Sequence, residues 1–236
     1  MFIKLRSFLF SVLYNLSGAL YGIVSVLLLP LPLKTRHKII VSWTHLVVFL
    51  VRVICGIRYQ VIGTEYLPTK DKPVIVLSKH QSTWETLFLQ GLFWPASTVL
   101  KRELLRIPFF GWGLAALRPI AIDRSNPRLA LKQVKEKSLR RINSGYNILL
   151  FPEGTRIPPG ERGRYARSGA DIAVATGIDI VPVAVNSGLF WPTKKLVKQP
   201  GCISVVIGPP ISPQGKTSKA LIEEVESWIE STMTSL

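Results

Sequence analysis

From Ser7 to Leu33 the chain carries no charged side chain, and a run of that length limits the fold more than any motif does. Pro30 and Pro32 should stop a helix near Leu29, leaving about 23 residues or roughly 34 Å of helix. That is enough to cross the roughly 30 Å hydrocarbon layer of a bilayer. A cleaved signal peptide has a shorter apolar core and a small-residue cleavage site, and no convincing site follows here, so the segment is expected to stay attached. The second apolar run, Ile39 to Val51, is only about 20 Å as a helix and spans comfortably only if Arg52 snorkels. Lys4 and Arg6 precede the first run, and Lys34, Arg36 and Lys38 are expected in the turn after it. A spanning hairpin sends these groups to opposite compartments, whereas a hairpin dipping into one leaflet lets all of them meet anionic headgroups. The one-leaflet reading accounts for more of the charges; the length of the first run favours a span. His45, inside the second run, reads as a packed or interfacial histidine.

The charges extend this picture. No carboxylate appears before Glu65, and overall 30 Lys and Arg stand against 14 Asp and Glu, a net charge of +16. An anionic partner follows: nucleic acid, a membrane surface or a phosphate-bearing substrate. No interleaving of aromatic and basic residues of the kind that reads nucleic acid is visible. Cys55 and Cys202 are the only cysteines, too few for a thiolate zinc site and read as free buried thiols in a reducing compartment.

Beyond the anchor, short β-branched runs alternate with helical stretches. Strands are expected at Arg58–Ile62, Pro73–Leu77, Thr98–Leu100, Pro119–Ile122, Asn147–Phe151, Ile180–Val185 and Ile203–Ile207. Helices are expected at Thr83–Phe93, Arg128–Asn143, Ala166–Thr176 and Lys216–Met233. In the last of these, Leu221, Val225, Trp228 and Ile229 share a face that should pack on the body. The alternation predicts an α/β fold, a mostly parallel central sheet flanked by helices, preceded by a hydrophobic two-helix membrane motif. The division is placed at residues 1–57 for the membrane-anchoring hairpin and 58–236 for the α/β domain.

In such sheets functional groups collect where strands end. After Leu77 the chain reads Ser78-Lys79-His80-Gln81-Ser82-Thr83-Trp84-Glu85. If a helix starts near Ser82, His80 lies in the preceding loop and can fold back onto the Glu85 carboxylate. Such a pair makes a general base, the carboxylate fixing the tautomer and the second ring nitrogen taking a proton. Ser82-x-x-Glu85 also matches a capping box, in which Glu85 merely starts the helix. Ser82 lacks a nucleophile elbow, and a cap role suits it better. After Asn147–Phe151 comes Pro152-Glu153-Gly154-Thr155-Arg156: Pro152 ends pairing, Gly154 permits a tight turn, and Arg156 offers a planar fork for a phosphate. An ordinary surface turn has the same composition. Lys101, Arg102 and Arg124 follow other strand ends, where a shared edge would bring them to one anionic group. The stretch Arg128–Arg141 carries six basic residues and one acid, either a patch for an acidic carrier protein or lipid headgroups, or a solvated helix face.

The blocks HQSTWE at 80–85, KRELLRIPFFGWGL at 101–114, AIDR at 121–124, FPEGTR at 151–156 and VPV at 181–183 together resemble the 1-acyl-sn-glycerol-3-phosphate acyltransferases of bacterial phospholipid synthesis. Order and spacing agree over about residues 60–210. The resemblance implies that His80 deprotonates the sn-2 hydroxyl of lysophosphatidate as it attacks an acyl thioester, of acyl carrier protein or coenzyme A, to give phosphatidate, with Glu85 orienting the imidazole. It implies Lys101, Arg124, Glu153, Gly154, Thr155 and Arg156 as the phosphate site, with Glu153 able instead to pair with Arg156 or touch the glycerol backbone. Val181, Pro182 and Val183 would help line the acyl channel. No covalent enzyme intermediate, metal or bound cofactor is required, and anionic membrane lipids are expected partners at the cytoplasmic face of a bacterial inner membrane. One departure stands out: the family is mostly described as His-x4-Asp, and this chain has Glu85, whose extra methylene asks for a small backbone shift. Arg167, just before Ser168-Gly169, is either a substrate contact or a solvated charge. The same chemistry on glycerol 3-phosphate or another lysolipid is the nearest rival, and a non-catalytic cationic membrane-binding protein the more distant one.

Overall fold

The computed structural model describes residues 1–69, 71–123 and 127–236, with the backbone alone for 127–131. Two helices open the chain, α1 (Phe2–Leu27) and α2 (Leu33–Cys55), followed by β1 (Ile57–Ile62) and β2 (Ile75–Ser78). Next come α3 (Trp84–Leu92), β3 (Ala96–Lys101), α4 (Phe110–Ala116), β4 (Ile120–Ile122), α5 (Pro127–Asn143) and β5 (Asn147–Leu150). The chain ends with α6 (Ser168–Thr176), β6 (Ile180–Val185), β7 (Gly201–Ile207) and α7 (Ser218–Met233). The seven strands form one sheet in the order β1-β7-β6-β2-β5-β3-β4. Only β6 and β7 pair antiparallel, so β6, β2, β5, β3 and β4 all point the same way.

Strands β2, β5 and β6 are buried on both faces, which is why they read as continuous apolar runs rather than alternating ones. Their side chains divide between two cores. Val76, Leu149, Val181 and Val183 face α2 and α3, whereas Ile75, Leu77, Ile148 and Leu150 face α5, α6 and α7. Leu221, Val225 and Ile229 seat α7 on the second core, as its spacing predicts, with Trp228 half-buried beside them.

The amino-terminal helices differ from expectation in one respect. Pro32 caps the second helix directly, so α2 begins at Leu33 and runs for 23 residues to Gly56, whose φ of 71° closes it. Lys34, Arg36 and Lys38 therefore belong to the first turns of α2 and not to a turn between helices. By length and composition both helices can cross a membrane. They are nevertheless bonded to the body along their length. The Lys198 amide donates to Ser7 Oγ at 2.9 Å and Phe10 meets Trp191 edge-on at 5.0 Å, while within the hairpin Arg6 Nε of α1 donates to the Ile54 carbonyl of α2. Near its other end, α1 crosses α4 so closely that a side chain on Gly22 would begin 2.3 Å from the Phe109 carbonyl oxygen. Phe109 itself adopts φ 62° and ψ −60°, with the Phe110 amide donating to the Pro108 carbonyl at 2.7 Å, a γ-turn. The hairpin thus shares a core with the sheet, and residue 57 is no packing boundary. Its outer face stays apolar and exposed through Leu16, Leu20, Ile23 and Leu27. His45 is exposed and lies against Gly91 of α3. Cys55 is buried as expected; Cys202 is exposed, since its side chain points away from both cores near the start of an edge pair.

Gly22→Val should lever α1 away from the Phe109 turn, costing about 1–3 kcal/mol of overpacking. Thermal unfolding in neutral detergent should show a drop of about 2–4 °C per kcal/mol.

Candidate active site

Because five strands run parallel, their carboxyl ends share one edge, and the loops leaving β2, β5, β3 and β6 meet there. Glu85, in the first turn of α3, is wholly buried beneath that edge. Five donors converge on its carboxylate. Oε1 accepts from His80 Nδ1 at 2.9 Å and from the amides of Gln81 and Ser82 at 2.9 and 2.7 Å. Oε2 accepts from the hydroxyls of Ser82 at 2.8 Å and Ser187 at 2.6 Å. Both readings of this stretch therefore hold at once: one carboxylate caps the helix start and grips the histidine. Ser82 is engaged as a cap, its Oγ also accepting from the Trp84 amide at 2.8 Å. Burial alone would push the Glu85 pKa up, but the bonds from His80, Ser187 and the Ser82 amide outweigh it and leave it below the usual carboxylate value.

A carboxylate can only accept, so Nδ1 of His80 carries a proton and Nε2 is the ring nitrogen that Glu85 leaves unengaged. The ring stacks on Phe151 at 4.2 Å, which fixes its plane. Its backbone is held as tightly: the His80 amide donates to Glu153 Oε2 at 2.9 Å, and its carbonyl accepts from the Ile157 amide at 2.8 Å. The loop after β5 is thereby tied to the loop after β2.

This tie corrects one expectation. Glu153 does not face a phosphate; its side chain is fully buried and its other oxygen receives Lys79 Nζ at 2.8 Å. Lys79, itself 1% exposed, also bonds Glu230 of α7 at 2.9 Å and the Glu161 carbonyl at 3.2 Å. Tyr165 completes the group by donating to Glu230 Oε1 at 2.7 Å. Two carboxylates around one ammonium, with a phenol and backbone groups filling the remaining sites, is how a buried charge becomes tolerable.

In front of His80 opens a cavity of about 1260 Å³. Gly154, Thr155 and Arg156 line it together with Lys101 of β3, Gly154 taking φ 67° to turn the loop. Lys194 and Lys195 line it as well. Away from these cations the wall turns apolar, with Trp43 and Ile40 from α2, Leu104, and Phe110 and Leu114 from α4. Arg124 lies outside the described residues. Val181, Pro182 and Val183 do not line this cavity: they sit mid-strand in β6, buried in the sheet, because strand interiors fill cores and only strand ends reach the site. Arg167 is exposed just before α6 and does not line the cavity. Among the described residues, no group of three or more His, Cys, Asp or Glu is placed to hold a metal ion.

Four participants escaped the sequence reading. Ser187 follows the end of β6, so the strand-end rule alone could have found it. Lys79 stands beside His80 at the end of an apolar strand, a position where a lysine needs a buried partner. Glu230 and Tyr165 carry no local signal and are recognised only once α7 is docked.

His80, held by a buried carboxylate, thus faces a cavity that is cationic on one side and apolar on the other. Residues 58–186 match the family model described as acyltransferase. The chain is 46% identical to the 1-acyl-sn-glycerol-3-phosphate acyltransferase of Pseudomonas aeruginosa, over 98% of this chain and 91% of that one. It is 31% identical to the Saccharomyces cerevisiae enzyme of the same name, over 87% and 68%. The crystal structure of the 1-acyl-sn-glycerophosphate acyltransferase PlsC from Thermotoga maritima shares the fold at a TM-score of 0.74 and 24% identity, covering 98% and 94%. The chain belongs to the acyltransferase family, among the 1-acyl-sn-glycerol-3-phosphate acyltransferases.

Two outcomes follow from this geometry. Lys79→Met strands the buried Glu153 charge and should cost about 3–5 kcal/mol; adding Glu153→Gln should recover part of the lost melting temperature. Glu85, with a native pKa below the unfolded value near 4.3, contributes stability that is complete above that value. This contribution is lost as pH falls through the native pKa. Melting temperature should therefore fall more steeply below about pH 4 in the wild type than in Glu85→Gln, as read by circular dichroism.

Proposed function

We propose that the protein transfers a fatty acyl group from a thioester, of acyl carrier protein or coenzyme A, to the sn-2 hydroxyl of 1-acyl-sn-glycerol 3-phosphate, giving phosphatidate. The observation that carries this reading is the His80–Glu85 pair at 2.9 Å facing one cavity with a cationic side and an apolar remainder. His80 Nε2 takes the hydroxyl proton as the oxygen attacks the thioester carbonyl. The tetrahedral intermediate collapses, the carbon–sulfur bond breaks, and the imidazolium returns its proton to the thiolate leaving group. Glu85 holds the ring and steadies its transient positive charge.

Arg156 and Lys101, with Arg124 and the turn at Gly154 and Thr155, hold the sn-3 phosphate and so place the hydroxyl against Nε2. Lys194 and Lys195 add positive charge at the same cavity. The apolar wall between α2 and α4 receives acyl chain, which favours a lysolipid over glycerol 3-phosphate. No metal or bound cofactor enters any step. The hairpin lies in one leaflet: the α/β body flanks both ends of α1, and a polar body cannot follow that helix across a bilayer. Thioester donors place the catalytic side at the cytoplasmic face of a bacterial inner membrane.

The test is acyl transfer to lysophosphatidate in detergent or liposomes, with glycerol 3-phosphate as competing acceptor. His80→Ala should lower kcat by about 10²–10⁴, and Arg156→Ala should raise the acceptor KM more than it lowers kcat. Undiminished turnover in His80→Ala contradicts the mechanism; transfer to glycerol 3-phosphate alone contradicts the acceptor.

A further inference from the structure

The apolar surface that α1 exposes does not end with that helix. Between β3 and β4 the chain passes through a 3₁₀ turn at Arg102–Arg106 and then α4. Along this connection Ile107 is 44% exposed, Phe109 40% and Trp112 44%. The Phe109 and Trp112 rings meet edge-on with centroids 4.8 Å apart, so they present one aromatic surface. Phe109 is the residue of the γ-turn, at φ 62°, a region that a bulky side chain enters only at a cost. Backbone strain and exposed aromatic area both oppose folding in water, and together they mark a segment shaped for contact.

What covers this surface follows from its neighbours. On α1, Gly22 abuts the Phe109 carbonyl, and a side chain on Gly113 of α4 would begin 4.0 Å from Ser25 Oγ. Beside those two contacts Ile23, Val26 and Leu27 of α1 are 47%, 44% and 74% exposed. The aromatic surface is thus continuous with the hairpin face that the one-leaflet reading places in lipid, and the inference rests on that reading. The flanking charge agrees with it. From Arg102 to Arg118 the chain carries three arginines and one glutamate, suited to anionic headgroups; a second copy of the chain would set those arginines against each other.

We propose that Ile107, Phe109 and Trp112 form a second membrane-inserting element, an aromatic wedge that enters the same leaflet as the hairpin while Arg102 and Arg106, both exposed, stay among the headgroups. Tryptophan, with an apolar ring and one polar N–H, favours that boundary. A hairpin alone lets the α/β body roll about the axis of α1, and a second contact beside that axis stops the roll. Ile107 and Phe109 also line the cavity in front of His80, so the wedge holds the rim of that cavity at the membrane surface.

The experiment reconstitutes the full-length protein in vesicles of phosphatidylcholine and phosphatidylglycerol, with and without bromine on the acyl chains, and reads the bromine-quenched part of its tryptophan fluorescence. Of the 6 tryptophans, Trp112 is removed in Trp112→Phe, and Trp228, half-buried on α7 across the sheet, in the control Trp228→Phe. Trp112→Phe should lose a clear part of the quenched emission and Trp228→Phe none of it. Quenched emission that is unchanged in Trp112→Phe overturns the wedge and leaves the hairpin reading standing, as does a wild type that floats with the vesicles but shows no quenching. Protein that fails to float with the vesicles contradicts the hairpin reading and the wedge with it. A dimer in detergent that Trp112→Asp turns into a monomer, with Trp112 unquenched in vesicles, assigns the surface to a second copy and overturns the proposal.

Discussion

Everything at the catalytic edge hangs on one buried carboxylate. Glu85 satisfies two backbone amides, two hydroxyls and an imidazole, and it can do so only because β2, β6 and α3 deliver those groups from three directions. The same bonds that compensate its burial also start α3 and select the tautomer of His80. A group used so fully has little freedom to move, so the histidine is set before substrate arrives.

A second buried cluster supports the first from behind. Lys79 joins Glu153 to Glu230, and Glu153 clamps the His80 amide. The carboxyl-terminal helix, remote in sequence, is thereby linked through two charges to the position of the base. The loop that carries Arg156 leaves the same clamp, so His80 and Arg156 share one reference. Orientation of two reacting groups is worth many orders of magnitude in rate, which gives a physical reason to place an expensive buried ion pair here.

Much of this was legible in the sequence. The seven strands and the order of strand and helix follow from β-branched runs and turn residues, and the strand-end rule locates His80, Glu85, Lys101 and Arg156. The readings that failed did so where tertiary contacts decide. Pro32 looks like the end of one helix and proves to be the start of another. Glu153 looks like a ligand contact until Lys79 and the His80 amide claim its oxygens. Val181 to Val183 look like a channel wall, whereas a central parallel strand buries both of its faces. The short helix α4, which walls the cavity and presses on Gly22, is too brief and too rich in glycine and aromatics to announce itself.

The central claim is that a buried carboxylate engages Nδ1 of His80 and turns Nε2 toward substrate. With 3 histidines in the chain, ¹⁵N-histidine NMR of the detergent-solubilised protein at neutral pH can observe each ring, His80 being assigned by its loss in His80→Ala. The account predicts an Nδ1–H resonance shifted downfield by the bond to Glu85. A predominant Nε2–H tautomer, or a ring averaging between the two, would contradict it.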